Sequence, residues 1–313
     1  MNADIFAEWL RRQGHRIVRT PSSYWCDQGL RVYQAFPYHW LIQPTEQELS
    51  RFLSEHQAVG LRYSTVLQAP VGLFSYHAVL ENSNYDFEHL GKWARKNVRR
   101  GLKHCVVQPI SFERLAEEGW ELQRDTLNRQ GRQLKATRET WQQRCRATTQ
   151  LPGFEAWGAL VEGRLAASVI TFQMQNCAYL LYQQCRRDYL ERHVNNALSF
   201  VVTQTLITRP GVDTILYGLH SLDAPAQVDE FKFRMGYQPK PVRQRVVFHP
   251  ALTPFLNRAS EAAARQFLRW RPGSSTLSKG AGLIRFYLQG QQPLEQQTWP
   301  DCLRPHSVER LET

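Results

Sequence analysis

Two short clusters hold most of the side chains that can move protons or carry charge. His220-Ser221-Leu222-Asp223-Ala224-Pro225 is a polar loop that follows the apolar run Thr214-Ile215-Leu216-Tyr217-Gly218. Asp229-Glu230-Phe231-Lys232 comes soon after and leads to Gly236-Tyr237. A loop at the carboxyl end of a strand is where a parallel sheet offers a site. There a histidine or carboxylate can serve as general base, and a lysine can neutralise a developing oxyanion or phosphate charge. Each residue also has a plainer use. Asp223, two before Pro225, can initiate a turn. Asp229 suits the first turn of a helix. Lys232 can be a surface lysine, and Tyr217 and Tyr237 can donate a proton or pack in a core. Cys185 is a thiol for which the sequence places no histidine partner.

A second informative stretch is Asp86 to His104. Lys92, Arg95, Lys96, Arg99, Arg100 and Lys103 recur at helical spacing and fall within roughly a 140° arc. Leu90, Ala94, Val98, Leu102 and Cys105 fall on the opposite arc. The pattern predicts an amphipathic helix with one basic face, either a solvated surface or a face that meets phosphate.

These clusters need elements to position them. Ile5 to Arg12 reads as a helix, and Arg16–Arg19, Leu30–Phe36 and Trp40–Ile42 as strands. Thr45 with Glu48 forms a capping-box signature ahead of a helix from Glu46 to Gln57. Leu61–Val66 and Phe74–Leu80 read as strands. After the basic helix come a strand at Val106–Ile110 and a helix capped by Ser111 from Phe112 to Arg129. A polar loop from Gln130 to Lys135, able to cover a cleft, leads to a helix from Thr137 to Thr148. A meander follows, with strands at Phe154–Val161, Leu165–Gln173 and Ala178–Gln183 and turns at Glu162-Gly163 and Gln175-Asn176. Next are an apolar helix from Arg192 to Thr208, a strand at Thr214–Tyr217, a short helix from Val228 to Met235 and a strand at Arg245–Phe248. A basic amphipathic helix from Thr253 to Trp270 carries Arg258, Arg265 and Arg269. A shorter helix from Leu277 to Leu288 follows, and the Gln- and Pro-rich end from Gly290 predicts little order.

The chain has 313 residues, enough for one large domain or two medium ones, and is 42% hydrophobic with a net charge of +11. Such a field favours phosphates, CoA-like donors, nucleic acid or anionic lipid surfaces as partners. The six cysteines are scattered with no C-x-x-C pair, so no zinc site, other metal site or disulfide framework is expected. Reduced thiols, the absence of a signal-like N-terminus and the lack of an apolar run of about 18 residues together predict a cytoplasmic protein.

The element order from Ser111 to Phe248 resembles the acyl-CoA N-acyltransferase (GNAT) superfamily, and within it the Fem-type and BioF2-like branch. The basic run Arg95-Lys96-Asn97-Val98-Arg99-Arg100-Gly101-Leu102-Lys103, the helix–helix–meander order, and Phe231-Lys232 followed three residues later by Gly236-Tyr237 carry the resemblance. It implies an α/β (α+β) mixed sheet in tandem GNAT-like lobes. The first lobe, degenerate, would span residues 1–105 and the second, the acyltransferase lobe, 106–250, with a basic helical extension over 251–313. It further implies transfer of an acyl group, in the first instance acetyl from acetyl-CoA, to an amine or hydroxyl of a small molecule or cell-envelope precursor. Lys232 would lie at the active site, positioned by Phe231, with His220 and Asp223 as candidate bases. The family's glycine-rich pyrophosphate turn corresponds here to Gln184–Tyr189 and His193–Ala197, which contain no glycine. Arg186 and Arg187 can replace that cradle by charge, and Asn195 and Asn196 by amides at a helix start. Two alternatives stay open: aminoacyl transfer from tRNA, and a non-catalytic module that grips nucleic acid or an anionic membrane through the basic helix.

Overall fold

A computed structural model describes residues 2–131, 137–222, 226–270 and 274–304. The first part of the chain runs α1 (Ala3–Arg12), β1 (Ile17–Arg19), β2 (Tyr24–Asp27), β3 (Val32–Phe36), α2 (Glu46–Glu55), β4 (Gly60–Thr65), β5 (Leu73–Leu80) and α3 (Lys92–Leu102). The second part runs β6 (Val106–Ile110), α4 (Phe112–Arg129), α5 (Arg138–Arg146), β7 (Phe154–Val161), β8 (Arg164–Met174), β9 (Cys177–Leu180), β10 (Gln184–Cys185), α6 (Val194–Ile207) and β11 (Thr214–Leu219). It ends with α7 (Ala226–Arg234) and β12 (Gln238–Phe248), and the extension adds α8 (Arg258–Trp270) and α9 (Ser275–Gly290).

The strands form one mixed sheet in the order β1-β2-β3-β4-β12-β5-β11-β9-β8-β7-β6, with β10 on β8. Two pairs are parallel, β3 with β4 and β9 with β11. The last strand, β12, sits between β4 and β5 and is antiparallel to both. Strand β5 in turn pairs with β11. Residues distant in sequence are thereby brought side by side at the centre of the sheet.

Alternation along β7 shows how the faces are covered. Phe154 and Ala156 face a core with Phe6, Trp9, Leu115 and Trp141 from α1, α4 and α5. Trp157, Ala159 and Val161 face a core with Ala94, Val98, Val194 and Leu198 from α3 and α6. On the other half of the sheet, α2 covers one face through Leu49, Phe52 and Leu53, and α9 lies on the opposite face through Leu283 and Phe286.

Several expected elements change for identifiable reasons. Glu48 does not reach back to its cap; its carboxylate accepts from the amide and hydroxyl of Ser22 at 3.2 and 2.7 Å. Trp40–Ile42 forms no strand. The basic helix begins at Lys92, and ahead of it Asp86 accepts from the Glu88 and His89 amides and makes a turn. Leu102, placed on the apolar arc, is exposed. The strand expected over Ala178–Gln183 stops at Leu180. Beyond Gly290, where little order was expected, the described residues 291–304 dock at the start of β5. Gln297 Oε1 accepts from the Phe74 amide at 2.7 Å, and the Trp299 ring lies 4.5 Å from that of Phe74.

Helices α3 and α6 meet at Gly101. A Cβ on that residue would lie 2.4 Å from the His193 carbonyl oxygen and 2.9 Å from Ala197 Cβ. A glycine is needed there for the two helices to touch at all. This contact sets the basic face of α3 beside the N-terminus of α6.

Candidate functional site

Strands β9 and β11 run parallel through Thr214↔Cys177, Ile215↔Ala178 and Leu216↔Tyr179, and the pairing ends there. Leu180 and Leu181 then part from Tyr217, Gly218 and Leu219, and a cleft of about 190 Å³ opens between them. Tyr38 closes its side. The ladder of β11 with β5 shifts register between Leu216 and Gly218, and Gly218 has φ of 153°. The bulge re-aims the end of β11.

Lys232, on α7, reaches this bulge. Its Nζ lies 3.8 Å from the point a Cβ on Gly218 would occupy and 5.3 Å from the centre of the Tyr217 ring. Nζ donates to Asp229 Oδ1 at 2.6 Å, one helical turn away, and the Tyr76 hydroxyl donates to Asp229 Oδ2 at 2.7 Å. The two charged side chains are only 10% and 12% exposed. A buried charge of either sign is tolerated only when paired and hydrogen-bonded, and each here supplies the other's partner.

His220 stands beside this pair. Its ring stacks on Tyr76 with centroids 4.7 Å apart and planes at 14°. Its Nδ1 lies 3.1 Å from Ser75 Oγ. Its backbone is held on both sides: the amide donates to the Tyr76 carbonyl at 3.0 Å, and the carbonyl accepts from Arg62 Nη2 at 2.7 Å. Burial, helped by the Arg62 charge, lowers the imidazole pKa to about 4, so the ring is neutral at ordinary pH. Burial raises the phenol pKa of Tyr217, and at Tyr76 burial and then the Asp229 charge do the same, so both remain protonated.

The expected residues thus come together in part. Lys232, Asp229 and His220 join one cluster, and Tyr217 lines the cleft beside it, its hydroxyl donating to Gln183 Oε1 at 2.5 Å. Asp223 lies outside the described residues, as does most of the Gln130–Lys135 loop. Phe231 points away from the cluster into the α3–α6 core. Tyr237 packs there too, its hydroxyl 2.7 Å from Thr203 Oγ1. Cys185 is buried, and burial pushes its thiol up to about 12. Among the described residues no metal-binding cluster occurs, and all six cysteines are free.

Gln183 ties Tyr217 of the cleft to the start of α6. Asn195 Oδ1 accepts from Gln183 Nε2 at 2.9 Å, and Asn196 is buried against Met235 Sδ at 3.5 Å. Their side chains are therefore structural, and the Asn196 amide donates to the His193 carbonyl at 3.0 Å. Arg186 pairs with Asp188 at 3.1 Å, and the Arg187 amide donates to Asp125. Lys96, Arg100 and His104 lie close enough to lower the His193 pKa, although burial is the first cause. Of the basic face, Lys92, Lys96, Arg99, Arg100 and Lys103 are exposed. Arg95 is half-buried and donates to the Leu90 carbonyl at 3.0 Å.

Sequence reasoning missed Tyr76, Ser75, Arg62 and Gln183. The first two lie on β5, whose eight residues are all buried. Three polar residues in a row, Ser75-Tyr76-His77, inside so apolar a strand were the available signal.

No protein-family model matches the chain, and no curated protein matches it. Solved structures do. FemX superposes with a TM-score of 0.54 at 10% identity, over 80% of this chain and 92% of that one. L-PGS from Bacillus licheniformis gives 0.52 at 11% identity, over 79% and 91%. A conserved protein of unknown function from Bacteroides thetaiotaomicron gives 0.53 at 8% identity, over 79% and 91%. The chain therefore has a mixed α/β fold like that of FemX and L-PGS.

Two expectations follow from the geometry. Lys232→Met leaves Asp229 buried without its cation and should lower unfolding stability in urea by about 3 kcal/mol. Adding Asp229→Leu should recover much of it, and a single-variant loss below about 1 kcal/mol would mean that the pair is solvated. Burial, the first cause in each case, also lowers the pKa of His39 to about 4, His77 to about 3 and His220 to about 4. The unfolded chain, with histidines near 6.5, then binds more protons than the folded one below that pH. Stability should be full above about 6.5 and fall as pH drops toward 4, by at most about 1.4 kcal/mol per pH unit for each histidine. A pH series of urea midpoints checks this, with His220→Gln removing up to one proton's worth of slope.

Proposed function

We propose that the protein is an acyltransferase that moves an acyl group from an acyl-CoA donor to an amine or hydroxyl. One observation carries the reading: where β9 and β11 part, Tyr217 meets the Lys232–Asp229–Tyr76–His220 cluster through its ring and, through Gln183, is tied to Asn195 at the start of α6. Parted parallel strands leave backbone amides and carbonyls unpaired along their inner edges, which suits an extended amide-bearing arm such as pantetheine. Lys96 and Arg100, which bear on His193 at the start of α6, suit the donor's pyrophosphate. Charge replaces the glycine-rich cradle that the sequence lacks.

In the reaction the acceptor's nitrogen or oxygen attacks the acyl carbon, the carbonyl oxygen gains negative charge, and collapse expels the thiolate. Lys232 has three N–H donors and gives one to Asp229. The remaining donors can stabilise the oxyanion beside Gly218. Neutral His220 can take the acceptor's proton through Nε2, with Nδ1 held on Ser75. The Tyr217 phenol, kept protonated by burial, can supply a proton to the departing thiolate.

A second reading, aminoacyl transfer from tRNA, draws on the exposed basic face of α3. Thermal-shift titration separates the two. Acetyl-CoA should raise the melting temperature, by a stabilisation of about 2.7 kcal/mol at a hundred times Kd. Arg100→Ala should weaken the response about tenfold and steepen no other property of the melt. No response to any thioester, with salt-sensitive tRNA binding instead, would replace the first reading by the second.

A further inference from the structure

The C-terminal helices enclose a cavity that lies outside the β9–β11 cleft. It measures about 750 Å³, within the usual range for small-molecule sites, and lies between α9 and the face of β3, β4 and β12. Val32, Val59, Phe248, Leu256, Leu283 and Ile284 form its walls. Its two cationic lining residues are Arg62 and Lys279, and among the described residues no carboxylate lines it. Leu30 and Phe255 line it too, each 71% exposed. Two such apolar side chains left in water at the mouth point to an apolar occupant rather than a sealed core.

The cavity also reaches the reactive cluster. Leu219 and Leu222, which bracket His220 in the chain, both line it. The His220 ring lies 5.6 Å from that of Phe286 on α9, and Arg62, in the wall, donates to the His220 carbonyl.

We propose that this cavity binds one long alkyl chain of an anionic amphiphile, with the polar end toward Arg62 and His220 and the chain running between α9 and the sheet. Walls of methyl and methylene groups favour such a chain because each carbon buried leaves water. The cations and the absence of lining carboxylates match an anionic head. That the chain belongs to a substrate rests on the acyl-transfer reading; its binding does not. The chain can come from a long-chain acyl donor or from a lipid acceptor.

The probe is 11-(dansylamino)undecanoic acid, followed by fluorescence. Gly280 lies on the wall, and a Cβ there meets nothing within 4 Å, so the position has room to start a larger side chain and Gly280→Trp is the filling variant. Wild type and Gly280→Ala should bind the probe alike, and Gly280→Trp should bind at least tenfold more weakly with an undiminished melting temperature. Leu256→Arg, a charge on the wall, should weaken binding in the same sense. Displacement by palmitoyl-CoA and not by CoA assigns the chain to the donor. Displacement by lysophosphatidylglycerol and not by palmitoyl-CoA assigns it to a lipid. No binding by wild type, or equal binding by both filled variants, overturns the proposal. Probe binding without any melting response to acetyl-CoA would keep the cavity and remove the acyl-CoA reading.

Discussion

The hydrogen-bonded ladder that holds β5 between β11 and β12 is the constraint on which the site depends. Antiparallel pairing with β11 continues one residue past the strand, where the His220 amide meets the Tyr76 carbonyl at 3.0 Å. That bond fixes the imidazole over the Tyr76 ring and sets the Tyr76 hydroxyl on Asp229. A slip of one residue would send Tyr76 to the opposite face of the sheet and leave Asp229 with Lys232 alone. The chemistry contributed by α7 and by the loop after β11 is thus held in place by a strand more than a hundred residues earlier in the chain.

Electrostatics divides the molecule. The net charge of +11 does not extend into the cluster, where the Lys232 ammonium is balanced by Asp229, His220 is neutral and both nearby phenols keep their protons. The positive surplus faces outward from α3, near the start of α6. A site arranged in this way can draw an anion to its edge while its buried ammonium and carboxylate balance each other.

Much of the frame was legible in the sequence. Ser111 caps α4 from Phe112 to Arg129, and β7 runs from Phe154 to Val161, both as the pattern predicts, because capping chemistry and apolar periodicity are local. The basic face of α3 and the place of Lys232 next to the loop after β11 were legible for the same reason. What was hidden is long-range. Nothing local says that β12 enters between β4 and β5, so nothing pointed to Tyr76, Ser75 or Arg62 as neighbours of His220. Phe231 was read as positioning Lys232, whereas helical geometry puts consecutive residues on different faces, and Phe231 packs in the core behind it. Arg186 and Arg187 were read as able to replace the cradle by charge because they follow the meander; Arg186 pairs with Asp188, and α3 sets Lys96 and Arg100 near His193 at the start of α6.

The account places donor and reaction in one cleft, and hydrogen–deuterium exchange with and without acetyl-CoA tests that most directly. It predicts slowed exchange in residues 180–183 and 216–220, which line or follow the β9–β11 opening, and in 193–197, tied to it through Gln183 and Asn195. Unchanged exchange across those three segments at saturating acetyl-CoA would contradict it.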